Sequence, residues 1–150
     1  MKKFFGWMLV VMLVISACGK DGKDTVFLVL DIDVPSHTNS WRMVRDEITE
    51  DFLFFECRVP VREITGDIFD NGAVLCYLVE YVGYGNTTIP IQSPLPYTLF
   101  RVDYEDNEYY FSENYTFEVS PGYINFVVKV SDFWDGEYPL NCTFRVVIMR

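Results

Sequence analysis

Apolar and polar side chains alternate with a period of two along several short runs of this chain. Ile124, Phe126, Val128 and Val130 alternate with Tyr123, Asn125, Val127 and Lys129. Phe144, Val146 and Ile148 alternate with Arg145, Val147 and Met149, and Tyr115, Phe117 and Val119 with Thr116 and Glu118. Successive side chains of an extended strand point to opposite faces, so this period marks strands with one buried face. Composition agrees: 17% of the residues are aromatic, and rings suit a pleated, half-buried surface. Strands are expected over residues 25–34, 51–59, 73–82, 97–104, 109–119, 123–131 and 142–149, with a short one at 89–91. The stretch 41–50 fits a helical turn or a strand extension. Residues 73–82 form a nearly unbroken apolar run, which predicts a central strand covered on both faces. Gly83 to Asn86 and Ser120-Pro121-Gly122 read as turns. Seven to eight strands with turns between them predict an all-β fold. The expected architecture is an antiparallel β-sandwich, immunoglobulin-like or a similar Greek key.

One helical turn is expected at residues 66–71. Thr65 suits its N-cap, Asp67 its positive first turn and Gly72 its end. Ile68 and Phe69 would then plug one end of the sandwich.

The amino-terminal segment has a different character. Lys2 and Lys3 precede 14 uncharged residues, 4–17, and the run ends Leu13-Val14-Ile15-Ser16-Ala17-Cys18. Fourteen residues suffice for the apolar part of a signal peptide, whereas a helix needs roughly 20 to span a bilayer. Small Ser16 and Ala17 before Cys18 resemble a bacterial lipoprotein signal, in which the Cys is lipidated and becomes the first mature residue. One acyl chain anchors a protein only marginally, and a multiply acylated Cys meets the need for more. Residues 1–17 are then signal peptide. Residues 18–24 are the lipidated Cys and a polar, Gly-containing tether, and residues 25–150 are one sandwich domain of ordinary size.

Charge narrows the partners. The net charge is −10, and loss of Lys2 and Lys3 would take it to −12. A chain so acidic is unsuited to nucleic acid, whose phosphates require a basic face, and to docking on anionic lipid.

Further motifs are Val59-Pro60, Ile64-Thr65, Ile68-Phe69-Asp70-Asn71-Gly72-Ala73-Val74 and Tyr77, then Pro94-Leu95-Pro96-Tyr97-Thr98 and Phe144-Arg145-Val146-Val147-Ile148. Together they resemble a group of small uncharacterised lipoproteins of Bacteroidetes. The resemblance implies a β-sandwich on an outer-membrane anchor, facing the periplasm or the cell surface. It carries no activity. In that phylum an acidic run after the lipidated Cys resembles a surface-export signal, which Lys20 and Lys23 dilute here.

Cys57, Cys76 and Cys142 each fall on the apolar phase of a strand and read as small buried hydrophobes. One disulfide among them stays open in an oxidising compartment. No two share a zinc-like spacing, and His37 is the sole imidazole. No catalytic site is expected. His37 lies in a polar loop with Ser36 and Ser40, but no G-x-S-x-G is present, and no carboxylate pair is marked as a glycosidase's. Asp103, Glu105, Asp106 and Glu108 form an acidic cluster, a weak calcium candidate that lacks the EF-hand pattern. A charged hairpin tip that discourages edge pairing accounts for it better. No cofactor is implied.

Binding is the more plausible work. Tyr84, Tyr109, Tyr110, Phe133 and Trp134 fall off the apolar phase or in loops. Rings so placed stack on sugar faces or serve protein interfaces. The expectation is a non-catalytic, lipid-anchored envelope protein that binds another protein. Its alternative is a glycan-binding accessory domain, with a small hydrolase third.

Overall fold

The computed structural model describes residues 27–103, 109–133 and 136–150. Cys18 and the segment around it lie outside the described residues. Within them the fold is all β apart from one short helix. The strands are β1 (Phe27–Val34), β2 (Arg42–Arg45), β3 (Phe52–Pro60), β4 (Ala73–Tyr84), β5 (Thr87–Pro94), β6 (Tyr97–Asp103), β7 (Tyr109–Ser120), β8 (Tyr123–Val130) and β9 (Cys142–Met149). Helix α1 spans Gly66–Asn71. Two antiparallel sheets result, a four-stranded one in the order β1-β9-β4-β5 and a five-stranded one in the order β2-β3-β8-β7-β6. The described strands number nine rather than seven or eight, because the ambiguous stretch 41–50 contains β2.

The sandwich closes on aromatic rings. Phe126 of β8 stacks on Phe144 of β9 across the two sheets, with centroids 3.9 Å apart and planes 10° apart. Trp41 and Tyr115 meet Phe144 edge-on and tilted. The inward residues of β8 and β9 foreseen from the alternation are all buried: Ile124, Phe126, Val128, Val130, Phe144, Val146 and Ile148.

Two local expectations are corrected, and a register shift sets one further side-chain phase. The run 73–82 is not covered on both faces, for Leu75 and Tyr81, on its outward face, are both more than two-fifths exposed. Only one face of β4 meets the opposite sheet. Phe69 of α1 is half exposed and plugs nothing, whereas its neighbour Ile68 packs on the core. In β3, Leu53 points outward and Phe52 inward. The register between β2 and β3 shifts at Val44/Arg45, where Arg45 pairs with Phe52 and skips Leu53. One extra residue inverts the side-chain phase beyond it.

Helix α1 is capped as its sequence dictates. Thr65 Oγ1 accepts from Ile68 N–H at 3.2 Å, and Gly72 N–H donates to Ile68 O at 2.8 Å. The helix joins the two sheets at one end of the sandwich. Before it, Val61 N–H donates to Gly122 O and Gly122 N–H to Ile64 O, which ties the loop 61–65 to the β7–β8 hairpin. After it the chain enters β4 at Ala73, opposite Met149, which is itself opposite Phe27. The start of β1, α1 and the β7–β8 hairpin therefore share one end of the sandwich, here called the entry end. The β4–β5 hairpin, the end of β6, the start of β7 and the start of β9 lie at the other, distal end.

Candidate functional site

Antiparallel register sorts the candidate aromatics. Tyr84 ends β4, and the two-residue turn Gly85–Asn86 follows, with Gly85 at φ +60°. Its ring is 74% exposed. Tyr110, on the outward face of β7 opposite Val102, is 69% exposed. Phe133 follows β8 and is 66% exposed. All three lie at the distal end, on three different elements. Tyr109 pairs with Asp103 at the end of the β6–β7 ladder. Trp134 lies outside the described residues, as do Glu105, Asp106 and Glu108 of the acidic cluster. Asp103 is the last residue of β6. Among the described residues no three His, Cys, Asp or Glu side chains gather as metal ligands do.

The distal end carries more apolar surface than the sequence indicates. Val82, Ile89 and Ile91 have the inward phase of the β4–β5 hairpin yet are more than two-fifths exposed, since the hairpin runs on past the core. Phe100, on the outward face of β6, is 84% exposed. The sequence concealed it because Tyr97 and Leu99 occupy one phase of β6 while Phe100 and Val102 occupy the other. Both phases look apolar, so alternation cannot choose the face.

A second region was not foreseen. A groove of about 560 Å³ crosses the outward face of the five-stranded sheet, lined among others by Glu56, Arg58, Glu118, Tyr123 and Asn125. The register builds it: Arg58, Asn125 and Glu118 lie side by side on β3, β8 and β7. Asn125 Nδ2–H donates to Glu56 Oε2 at 3.2 Å and to Glu118 Oε2 at 3.3 Å. Its Oδ1 is buried and has no hydrogen-bond partner among the described residues. Arg42 pairs with Glu56. The Arg58 guanidinium sits 4.3 Å over the Tyr123 ring, a cation–π contact. The groove thus offers carboxylates, guanidinium donors and an aromatic rim. Its residues are the polar phase of three strands, which only the register brings together.

Reactive chemistry has little to draw on. His37 is exposed in the β1–β2 loop, and its Nδ1 accepts from Asn39 N–H at 3.1 Å. Cys57, Cys76 and Cys142 are unpaired and buried. Burial raises the Cys57 thiol, pushes Cys76 up to about 12, and Cys142 up to about 11. Thiols so placed are protonated at neutral pH and poor nucleophiles. Cys142 belongs to a buried polar chain at the distal end. Tyr115 Oη donates to Glu113 Oε2 at 2.9 Å, and Arg101 Nε–H donates to the same oxygen at 3.0 Å. Cys142 Sγ lies 2.9 Å from Leu140 O. Burial raises the Tyr115 phenol strongly, so this ring is a fixed donor.

Compared with protein-family models, with curated proteins and with solved structures, the chain finds no match.

Proposed function

We propose that this chain is a non-catalytic envelope protein, anchored by lipid on Cys18, that acts by binding another envelope protein. The observation that carries the reading is the separation of the two ends. The chain enters the sandwich at Phe27, whereas Tyr84, Tyr110 and Phe133 are exposed at the opposite end. An anchored domain that presents rings away from its anchor is suited to meeting a partner, because Tyr and Phe supply much contact area at small cost in side-chain entropy. The −10 net charge favours a partner that is not itself acidic. The anchor would place the domain on the outer membrane, facing the periplasm or the cell surface.

Both halves can be tested in cells. Cys18→Ala is expected to abolish incorporation of an alkynyl fatty acid and to release the protein from membranes. A photo-crosslinking amino acid at Tyr110 or Phe133 is expected to capture a discrete envelope protein. Capture no greater than at exposed Glu63, in the loop at the entry end, would remove the interaction reading.

A second reading, a glycan-binding domain, is favoured by the groove over Asn125. In this reading Tyr123 stacks on a sugar face while Glu56 and Glu118 accept hydrogen bonds from its hydroxyls. Selective binding to a glycan array, lost in Tyr123→Ala, would support it.

A further inference from the structure

The outward face of the four-stranded sheet is apolar at its entry end. Register sets Phe27, Met149 and Ala73 in one row, and Val29, Val147 and Leu75 in the next. None carries a charge or a side-chain hydrogen-bonding group. Phe27 is 63%, Val29 54% and Leu75 43% exposed. Phe69 of α1, four residues before Ala73, is half exposed as well. The first charged row above it is self-neutralised, with Arg145 Nε and Nη2 each 2.7 Å from an oxygen of Asp31. At the rim, Arg150 Nε is 2.8 Å from Asp67 Oδ2. Contiguous apolar faces of this kind on a small domain mark a contact surface.

We infer that the entry end of this face rests on the membrane surface, with Phe27, Val29 and Leu75 in the headgroup layer and the distal end lifted away. The inference rests on the lipid-anchor reading. What selects the membrane as occupant is where the chain outside the described residues begins. Phe27 is both the first residue of the patch and the first after the nine residues 18–26. Nine residues reach at most about 30 Å even fully extended. A domain held so close meets the bilayer as an intramolecular surface, at an effective concentration that lets a weak patch bind. Opposed ion pairs at its border leave the patch without net attraction to anionic lipid, so neutral headgroups suffice. This orientation turns the distal aromatics away from the bilayer.

The test uses the native lipidated protein reconstituted in phosphatidylcholine vesicles. A bimane label is placed on Leu75→Cys, or on Thr88→Cys near the distal end of the same sheet; the buried thiols of Cys57, Cys76 and Cys142 leave the new site to react. The Leu75 label is expected to lose its fluorescence to brominated acyl chains and to resist aqueous iodide, and the Thr88 label to behave oppositely. Adding Phe27→Ser and Val29→Ser is expected to abolish lipid quenching at position 75 while the protein stays on the vesicles. Iodide access at position 75 equal to that at 88, on vesicle-bound protein, overturns the inference and leaves the anchor reading standing. Label–label quenching at position 75 that grows with protein density assigns the face to a second copy and also overturns it. Protein that carries no lipid and leaves the vesicles overturns the anchor reading, and the inference with it. The singly labelled protein has β1 unchanged, so the comparison stands even where the serine variant folds poorly.

Discussion

The three buried thiols behave as core atoms, and that is measurable. Each sits where its thiolate is disfavoured by burial. At pH 8 the folded protein is expected to resist an aromatic disulfide reagent at Cys57, Cys76 and Cys142, and to react at all three once unfolded in urea. Fast reaction of any one would show that its strand opens readily. The raised values also fix a sign. A folded thiol keeps a proton that the unfolded chain releases above about pH 8.5, so stability falls as pH rises past that point. Glu113 is the more consequential residue. It is 7% exposed and accepts from both Arg101 and Tyr115. Glu113→Ala leaves a buried phenol and a half-buried guanidinium unpaired, with an expected cost of about 2–3 kcal/mol in urea unfolding. Tyr115→Phe removes one donor and should cost less, about 1 kcal/mol.

At the scale of the element, the junction of α1 with β4 is the least forgiving point. A Cβ on Gly72 would stand 2.5 Å from Met149 O and 2.8 Å from Ile68 O, both backbone atoms. Neither can swing aside, so Gly72→Ala is expected to loosen the α1 cap and the β4–β9 ladder together. A lowered melting temperature with amide exchange faster at Ala73 and Val74 would show it. Gly122→Ala, at φ +83° with open space around its Cβ position, is expected to cost about 1–2 kcal/mol from backbone strain alone. The edges explain which elements could be read in advance. β8 and β9 lie inside their sheets with one face on the core, and their alternation was legible because burial imposes it. β2 is a four-residue edge strand whose turn residues mask its pairing. β5 is an edge strand carrying Pro90 and Pro94, tolerated there because an edge leaves ladder positions unused. Its prolines hid all but Ile89 and Ile91 from a reading by propensity. The candidate rings were partly legible for the same reason: Tyr84 and Phe133 border turns, whereas Phe100 and the groove required the register.

The Asp31–Arg145 pair joins β1 to β9, and it titrates. The hydrogen bond from Arg145 holds the Asp31 carboxyl below its ordinary value. A carboxyl lowered by folding adds stability above its unfolded value, about 3.9, and that contribution fades as pH falls through the folded value. Asp31→Asn should therefore be less stable than the parent at pH 7 and converge with it in strong acid. The pair is exposed, so the difference is expected to be small.

At the scale of the whole molecule, the order of assembly follows from the place of β9. This last strand sits between β1 and β4, with Leu28 opposite Ile148 and Val74 opposite the same residue. Neither β1 nor the outer side of β4 has a partner until the chain through residue 149 is available. The core has the same dependence, since Phe144 is the ring on which Trp41, Tyr115 and Phe126 converge. Local hairpins β6–β7–β8 can form early, but the sandwich closes only through pairings that span most of the sequence. Topologies of this kind fold slowly, in about milliseconds to seconds. A chain cut before Cys142 is expected to show no cooperative unfolding transition, and Phe144→Ala to cost about 3–5 kcal/mol. Refolding rates should discriminate further. If β9 docks last, Phe144→Ala raises the unfolding rate and leaves the folding rate nearly unchanged, whereas Phe117→Ala in the β7–β8 hairpin slows folding. The reverse pattern would place β9 in the nucleus.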